Sequence, residues 1–181
     1  MQMTINGYVG GPNGENDWMT WNPDDEFIEF LNFLLDASDT LLLGRKTAEG
    51  IIKFWEDTAD KNPTHPFAKK IAALPKVVFT KTLNESIWNK TTLAKGNLAE
   101  EIAGLKKQNG KDILVFGGAG FVSSLIKEEL IDEYHLIINP TAMGNGMTIF
   151  NSLDRIQKFT PIQSKLHPGG KTVLSFKPKN D

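Results

Sequence analysis

The stretch that decides the fold is residues 112–129, which read Asp-Ile-Leu-Val-Phe-Gly-Gly-Ala-Gly-Phe-Val-Ser-Ser-Leu-Ile-Lys-Glu-Glu. It opens with an uninterrupted apolar run, Ile113–Phe116, which predicts a short strand buried on both faces. From Phe121 the apolar residues recur at the spacing of one helical face, so we expect a helix to follow. The strand and the helix are joined by the glycine-rich turn Gly117–Gly120. A buried strand leading through such a turn into a helix is typical of an α/β protein.

The glycine-rich turn suits a phosphate group, but it also suits a plain connection, and the turn alone favours neither. Without Cβ atoms another molecule can approach the backbone, and the first helical N–H groups carry partial positive charge. The dinucleotide fingerprint is incomplete, because its third glycine position holds Ser123. About 20 residues further on, where the fingerprint has an acid, the chain reads Leu136-Ile137-Ile138. The sequence therefore excludes an ordinary Rossmann domain.

Length and composition predict one ordinary globular domain over residues 1–181. Hydrophobic residues make up 40% of the chain and charged residues 23%. A net charge of −2 gives no electrostatic reason to expect nucleic acid or an anionic membrane as a partner. The chain has no cysteine, which removes disulfides and thiolate ligands, and we expect no metal site. No apolar run approaches the ~20 residues of a membrane span and the start lacks a signal-peptide pattern, so we expect a cytoplasmic protein.

Two further strand ends carry groups that suit a phosphorylated ligand. The apolar run Thr40–Leu43 leads into Gly44–Thr47 and a short helix, Thr47–Trp55, followed by a polar loop at 56–66. Arg45 is one of only two arginines, and arginine makes paired contacts with phosphate oxygens. A third strand, Lys76–Thr80, is followed by Lys81. The alternative for both cations is an ordinary solvated side chain.

The N-terminal part offers groups for a flat ligand, each with a structural alternative. Trp18 and Trp21 follow a glycine-rich loop, where they would either stack on a ring or pack the edge of the core. Asn22 and the proline after it predict a helix start, with the helix running to about Asp36. The acids that follow, Asp24–Glu26, are most simply partners of the helix dipole.

The order of elements predicts a three-layer α/β fold. Strands and helices alternate along most of the chain, and the segments 160–166 and 172–177 indicate a C-terminal antiparallel hairpin. We therefore expect a mixed, mostly parallel sheet of about eight strands. Ligands of such sheets gather at the carboxyl ends of the strands.

The order and spacing of several motifs resemble the dihydrofolate reductase-like superfamily. Within it, the chain is most similar to the riboflavin-biosynthesis reductase domain, the C-terminal half of bacterial RibD. The motifs are Thr4–Tyr8 (Thr-Ile-Asn-Gly-Tyr), Gly11–Gly14 (Gly-Pro-Asn-Gly), Asp17-Trp18, Leu43–Thr47 (Leu-Gly-Arg-Lys-Thr), Phe116–Gly120 and Pro140–Gly146 (Pro-Thr-Ala-Met-Gly-Asn-Gly). They span nearly the whole chain, and their order is more specific than any one of them.

The resemblance implies a homodimeric, NADPH-dependent reductase of the dihydrofolate reductase-like fold. The implied cofactor positions are Gly44, Arg45, Lys46, Thr47, Thr80, Lys81, Gly117, Gly118, Ala119, Gly120, Phe121 and Val122. The implied substrate-side positions are Asn6, Trp18, Trp21 and Asp25. The substrate would be a heterocycle or a phosphoribosylamino-pyrimidine-like compound. No residue is assigned as catalytic, and no histidine lies in these turns.

One departure from the family pattern affects the expected activity. The riboflavin-type motif usually reads Ser-Leu-Asp-Gly, whereas this chain has Asn6 in place of the carboxylate. Three hypotheses stay open: a reductase, a non-catalytic NADP(H)-binding module, and a phosphate-binding α/β protein whose ligand is ATP or a sugar phosphate.

Overall fold

The computed structural model describes residues 1–179, in which strands and helices alternate before a terminal hairpin. The strands are β1 (Gln2–Thr4), β2 (Ser38–Gly44), β3 (Lys76–Phe79), β4 (Thr91–Ala94), β5 (Asp112–Gly117), β6 (Tyr134–Asn139), β7 (Phe159–Leu166) and β8 (Thr172–Pro178). The helices are α1 (Asp25–Ala37), α2 (Arg45–Lys61), α3 (Ala68–Ala73), α4 (Leu98–Lys106) and α5 (Ala119–Lys127). The α/β class is confirmed, and so is the strand–turn–helix unit formed by β5 and α5, but Ile113–Phe116 are only partly buried because β5 is at the edge of its sheet, so the burial expected on both faces was wrong.

The chain divides into two compact units. The first consists of Met1–Phe27 together with the chain from Val122 onward, and the second is Ile28–Phe121. The chain passes between the units within α1 and within α5. That residues 1–181 form a single domain stays a prediction.

The second unit is built on a parallel sheet in the order β4-β3-β2-β5. Apolar residues of β2 are almost fully buried, as expected of a strand covered on both faces. The core of this unit consists of Leu35, Leu41, Leu43, Ala48, Ile52, Phe67, Ile71 and Val78. The sheet and the helices around it thus form a rigid base for the turns at the strand ends.

The first unit contains the mixed sheet β1-β6-β8-β7. Strand β1 lies parallel to β6, whereas β8 is antiparallel to both β6 and β7. The hairpin formed by β7 and β8 confirms the antiparallel hairpin expected from the C-terminal segments.

The expectation of one mostly parallel sheet of about eight strands was wrong in its sheet count. Residues 1–179 contain two four-stranded sheets, one of them wholly parallel. Apolar runs identify strands, but they do not identify which strands pair with each other, because pairing is decided by distant parts of the chain. The three residues of β1, for example, are paired with β6, more than 130 positions away.

Two helix boundaries also differ from the expected ones. Helix α1 is capped by Asp24, whose Oδ1 accepts from Phe27 N at 2.9 Å, and not by Asn22. Helix α2 begins at Arg45 and continues to Lys61 through part of the segment expected to be a loop. Its polar end is helical because ion pairs four residues apart, such as Lys53 with Asp57 at 3.0 Å, support it without apolar periodicity.

None of the helices in residues 1–179 has both the length and the apolar character that crossing a membrane requires.

Candidate functional site

Three strands of the second unit end at the same level. In the parallel sheet Gly44 is the register partner of Phe79, and Leu43 is the partner of Gly117. The turns that follow β2, β3 and β5 therefore begin side by side at one edge of this sheet. The sequence predicted that these turns converge at the carboxyl ends of the strands, and in the second unit they do.

The turns after β2 and β5 are in direct contact, and they leave no room for side chains. A Cβ at Gly118 would lie 2.3 Å from Thr47 Oγ1, far inside van der Waals distance. A Cβ at Gly44 would lie 2.9 Å from Phe121 Cβ and 3.7 Å from Gly118 N. Gly117 has φ of +128°, a conformation that side-chain-bearing residues rarely adopt. Glycine is therefore required at these positions by close packing against Thr47 and Phe121 and, at Gly117, by the positive φ.

Two helices begin at this contact, and neither carries the usual N-terminal groups. Helix α2 has Gly44 at its N-cap without a side-chain hydrogen bond, and its first turn contains no acidic residue. Helix α5 also has no acidic residue in its first turn. No acidic side chain in the first turn of either helix offsets the partial positive charge at its N-terminal end. These features, together with the glycine cradle, fit a ligand that carries phosphate groups.

Arg45 and Lys46 add positive charge to the first turn of α2. Lys46 is exposed, whereas the side chain of Arg45 is 33% exposed and its Nη1 lies 2.6 Å from Glu49 Oε1. A basic residue at a helix N-terminus opposes the helix dipole. The arrangement is unfavourable for the helix alone, as is common where a binding site overrides local preference.

The turn after β3 contributes a phenyl ring and a structured backbone. The rings of Phe79 and Phe121 lie 4.8 Å apart between centroids, which connects the end of β3 to the start of α5. Thr80 is buried, and its Oγ1 accepts from Thr82 N at 3.1 Å and from Leu83 N at 3.2 Å. Its hydroxyl thus shapes the turn, while Lys81 next to it is exposed.

The remaining predicted cofactor positions lie at the start of α5. Ala119 is partly buried, Gly120 is exposed and Val122 is 4% exposed. Burial leaves Val122 little surface for a ligand, and its side chain belongs to the core. The assignment of a cofactor to any of the named positions stays a prediction.

Among the predicted substrate-side residues, Asn6 has a specific structural partner. Its Nδ2 donates to Met143 O at 2.7 Å, and its Oδ1 accepts from Met143 N at 3.2 Å. Thr4 Oγ1 also donates to Asn6 Oδ1, at 2.8 Å. An amide can both donate to and accept from the backbone of one residue, whereas a carboxylate can only accept. Asn6 therefore fastens the loop after β6 to the turn after β1.

The other predicted substrate-side residues differ in exposure. Trp18 is 8% exposed, and its Nε1 donates to Glu15 O at 3.1 Å, so most of its ring is packed within the first unit. Trp21 is 56% exposed, which leaves ring surface for stacking. Asp25 is exposed at the first position of α1. These three residues and Asn6 all belong to the first unit.

A buried lysine that the sequence did not single out fixes the Trp21 segment. Lys171 is 2% exposed, and its Nζ donates to Thr20 O and, at 2.7 Å, to Asn139 Oδ1. Burial lowers its pKa from the ordinary value. Lys171 follows Gly169 and Gly170, and a stretch of this composition is typical of a surface hairpin. No sequence signal therefore marks Lys171 as buried.

Asp24 joins the start of α1 to the β7–β8 hairpin. Its burial acts to raise its pKa, but hydrogen bonds from Gly169 N at 2.8 Å and from Phe27 N, with His167 3.5 Å away, lower the pKa overall. Asp24, His167 and Glu26 have ligand-type atoms within 4.8 Å of one another. Both Asp24 oxygens accept backbone N–H groups, and Glu26 pairs with Lys165 at 2.8 Å, so a structural role accounts for these acids.

The fold defines the class: an α/β protein in which glycine-rich turns between strand and helix meet at the carboxyl edge of a parallel sheet. The chain belongs to the RibD C-terminal domain family, whose model matches residues 1–170. This is a family of reductases, so membership indicates an oxidoreductase. The chain is also similar to YyaP of Bacillus subtilis (strain 168), an uncharacterized protein, with 35% identity over 150 residues, which is 83% of this chain and 77% of YyaP.

Solved structures agree with this assignment. A putative riboflavin biosynthesis protein from Shewanella sp. PV-4 superposes with a TM-score of 0.75 and 25% identity, covering 99% of this chain and 97% of that one. A diaminohydroxyphosphoribosylaminopyrimidine deaminase/5-amino-6-(5-phosphoribosylamino)uracil reductase from Thermotoga maritima gives a TM-score of 0.69 at 13% identity. That alignment covers 98% of this chain but 55% of the longer protein, and it supports the fold alone.

Proposed function

We propose that this chain is an NADPH-dependent reductase whose substrate is a heterocycle or a phosphoribosylamino-pyrimidine-like compound. The observation that carries the proposal is the contact between the turns after β2 and β5. There Gly44, Thr47 and Gly118 bring together, beside Arg45, two helix starts that have no acidic residue in the first turn. Family membership supplies the reaction class, and the name of the Thermotoga maritima relative supplies the class of substrate.

The residues of the second unit have separate tasks in this proposal. Backbone N–H groups at the starts of α2 and α5 hold the pyrophosphate, and Gly120, where a Cβ would meet nothing within 4 Å, allows it to approach the backbone. Arg45 and Lys81 lie at neighbouring strand ends and provide charge for an additional phosphate. A reduced nicotinamide cofactor supplies hydride when bound. The contribution of the chain is to bind, orient and exclude water.

The first experiment measures binding and turnover separately. Thermal unfolding is followed with NADPH, NADH and ATP, and NADPH consumption is followed over pyrimidine, pterin and flavin-precursor substrates. A ligand at 100 times its dissociation constant should stabilise the protein by about 2.7 kcal/mol. Stabilisation by ATP without stabilisation by NADPH would end the reductase proposal. Tight NADPH binding without turnover on any substrate would instead identify a non-catalytic binding module.

The second experiment replaces the charged group that the proposal places on a phosphate. We expect Arg45→Ala to weaken NADPH binding by about 1.5–3 kcal/mol, with a smaller loss for NADH, because NADH lacks the 2′-phosphate. Lys53→Ala is the matched control, since Lys53 is a cation of the same helix that pairs with Asp57. Equal losses for NADPH and NADH would remove Arg45 from the 2′-phosphate.

A further inference from the structure

We infer that the Glu49 carboxylate competes with a phosphate group of the ligand for Arg45. Glu49 thereby sets the affinity of the site for its ligand and the preference for NADPH over NADH. The inference rests on the proposed function and deepens it, because it concerns the same arginine. It assigns a specificity-determining role to a residue that the sequence motifs do not include.

The contact that carries the inference is short and lies within one helix. Arg45 Nη1 and Glu49 Oε1 are 2.6 Å apart, a charge-assisted hydrogen bond between residues four positions apart. The two side chains are 33% and 44% exposed, so the pair is open to solvent and to a ligand. The guanidinium is therefore held by a carboxylate that an incoming phosphate group can displace.

Glu49 is the partner of the first residue of α2. Acids stabilise a helix from its first turn, but the first turn of α2 has none, and Arg45 is its first residue. Glu49 instead lies one turn further on, and its carboxylate reaches back toward the N-terminus. A pair with arginine first and the acid four residues later is the less favourable orientation for a helix. Lys53 and Asp57 have the same orientation further along α2, so it is the location of the Arg45–Glu49 pair at the start of the helix that distinguishes it.

The chemistry of the pair predicts how it acts on a ligand. While Glu49 holds Arg45, the two charges cancel and the site attracts an anion less strongly. A phosphate that binds Arg45 must replace the carboxylate, and it is repelled by the carboxylate that remains nearby. The effect is greatest for the ligand with the extra phosphate, and it falls with salt because both side chains are partly exposed.

The test compares Glu49→Gln with Asp57→Asn by measuring dissociation constants of NADPH and NADH at low and at physiological ionic strength. Asp57 is the matched control because it forms an equivalent pair with Lys53 on the same helix, at 3.0 Å. We expect Glu49→Gln to tighten NADPH binding about threefold to tenfold at low salt, with a smaller change for NADH. We expect Asp57→Asn to leave both constants near the wild-type values. In an Arg45→Gln background, Glu49→Gln should no longer produce the gain.

The outcomes separate this inference from the proposed function. If wild-type protein binds NADPH but Glu49→Gln leaves binding unchanged or weaker, the inference fails and the proposed function stands. Equal tightening by Glu49→Gln and Asp57→Asn would show a general charge effect and would also overturn it. If neither wild type nor Glu49→Gln binds NADPH at millimolar concentration, the proposed function fails and takes the inference with it.

Discussion

Gly118 is the glycine of the candidate site at which an added Cβ would lie closest to another atom. Its replacement, Gly118→Ala, therefore gives the sharpest prediction. The added methyl carbon would lie 2.3 Å from Thr47 Oγ1, where ordinary contacts begin at about 3.4 Å. The hydroxyl must therefore retreat by about 1 Å, either by rotation of the threonine side chain or by movement of the turn. Overpacking of this size typically costs about 1–3 kcal/mol of unfolding free energy.

The same substitution should affect cofactor binding separately from stability. Either adjustment moves the Thr47 hydroxyl or the backbone N–H groups away from the phosphate site. Loss of one hydrogen bond to a charged group costs about 1.5–3 kcal/mol, so we expect NADPH affinity to fall roughly 10- to 100-fold. Urea unfolding measures the first effect, and fluorescence titration with NADPH measures the second.

Two further variants distinguish the cause. Gly50→Ala is the control, because Gly50 is in the same helix as Thr47 and a Cβ there meets nothing within 4 Å. It should raise stability by about 0.5–1 kcal/mol and leave NADPH affinity unchanged. Adding Thr47→Ala to Gly118→Ala removes the clashing oxygen, so stability should recover while affinity does not. Wild-type affinity in a destabilised Gly118→Ala protein would refute the placement of phosphate at this turn.

Two predictions concern the first unit. Asn6→Asp removes the donor to Met143 O and places a carboxylate next to that carbonyl. We therefore expect the free energy of unfolding, measured in urea, to fall by about 1 kcal/mol. Unchanged stability would mean that the amide pairing contributes nothing. Asp24→Asn should lower the melting temperature at pH 7, because it weakens acceptance from Gly169 N. Since the pKa of Asp24 is lowered in the folded state, this stabilisation is present above its unfolded pKa of about 3.9 and is lost as pH falls through the folded value. The difference in melting temperature between wild type and Asp24→Asn should therefore become smaller in acid. Asp25→Asn is the control for removing a charge from the helix start. A difference that stays constant from pH 7 to pH 3 would contradict this prediction.

Helix α2 illustrates where sequence reasoning stopped. The pattern from Thr47 to Trp55 identified its apolar face, because buried positions such as Ala48 and Ile52 follow helical spacing. Its polar end was expected to be a loop, since charged residues give no apolar period. In the structure this end is helical and carries ion pairs between residues four positions apart. Each pair of this kind contributes only a few tenths of a kcal/mol to helix stability.

Asn6 illustrates a residue whose meaning depends on a distant partner. The sequence showed only that an amide stands where a carboxylate was expected. The structure supplies Met143 as its partner, 137 positions away, and that pairing needs a donor and an acceptor on one side chain. No local pattern carries this information.

The sequence by itself determined the local elements: the strand and glycine turn at 112–120, the terminal hairpin, and the glycines and arginine that suit a phosphate. It did so because apolar periodicity and glycine placement act over a few residues. Only the tertiary structure decided that the strands form two sheets and that Gly44 and Gly118 meet. These depend on strand register and on side-chain geometry, which are fixed when parts of the chain that are distant in sequence pack together.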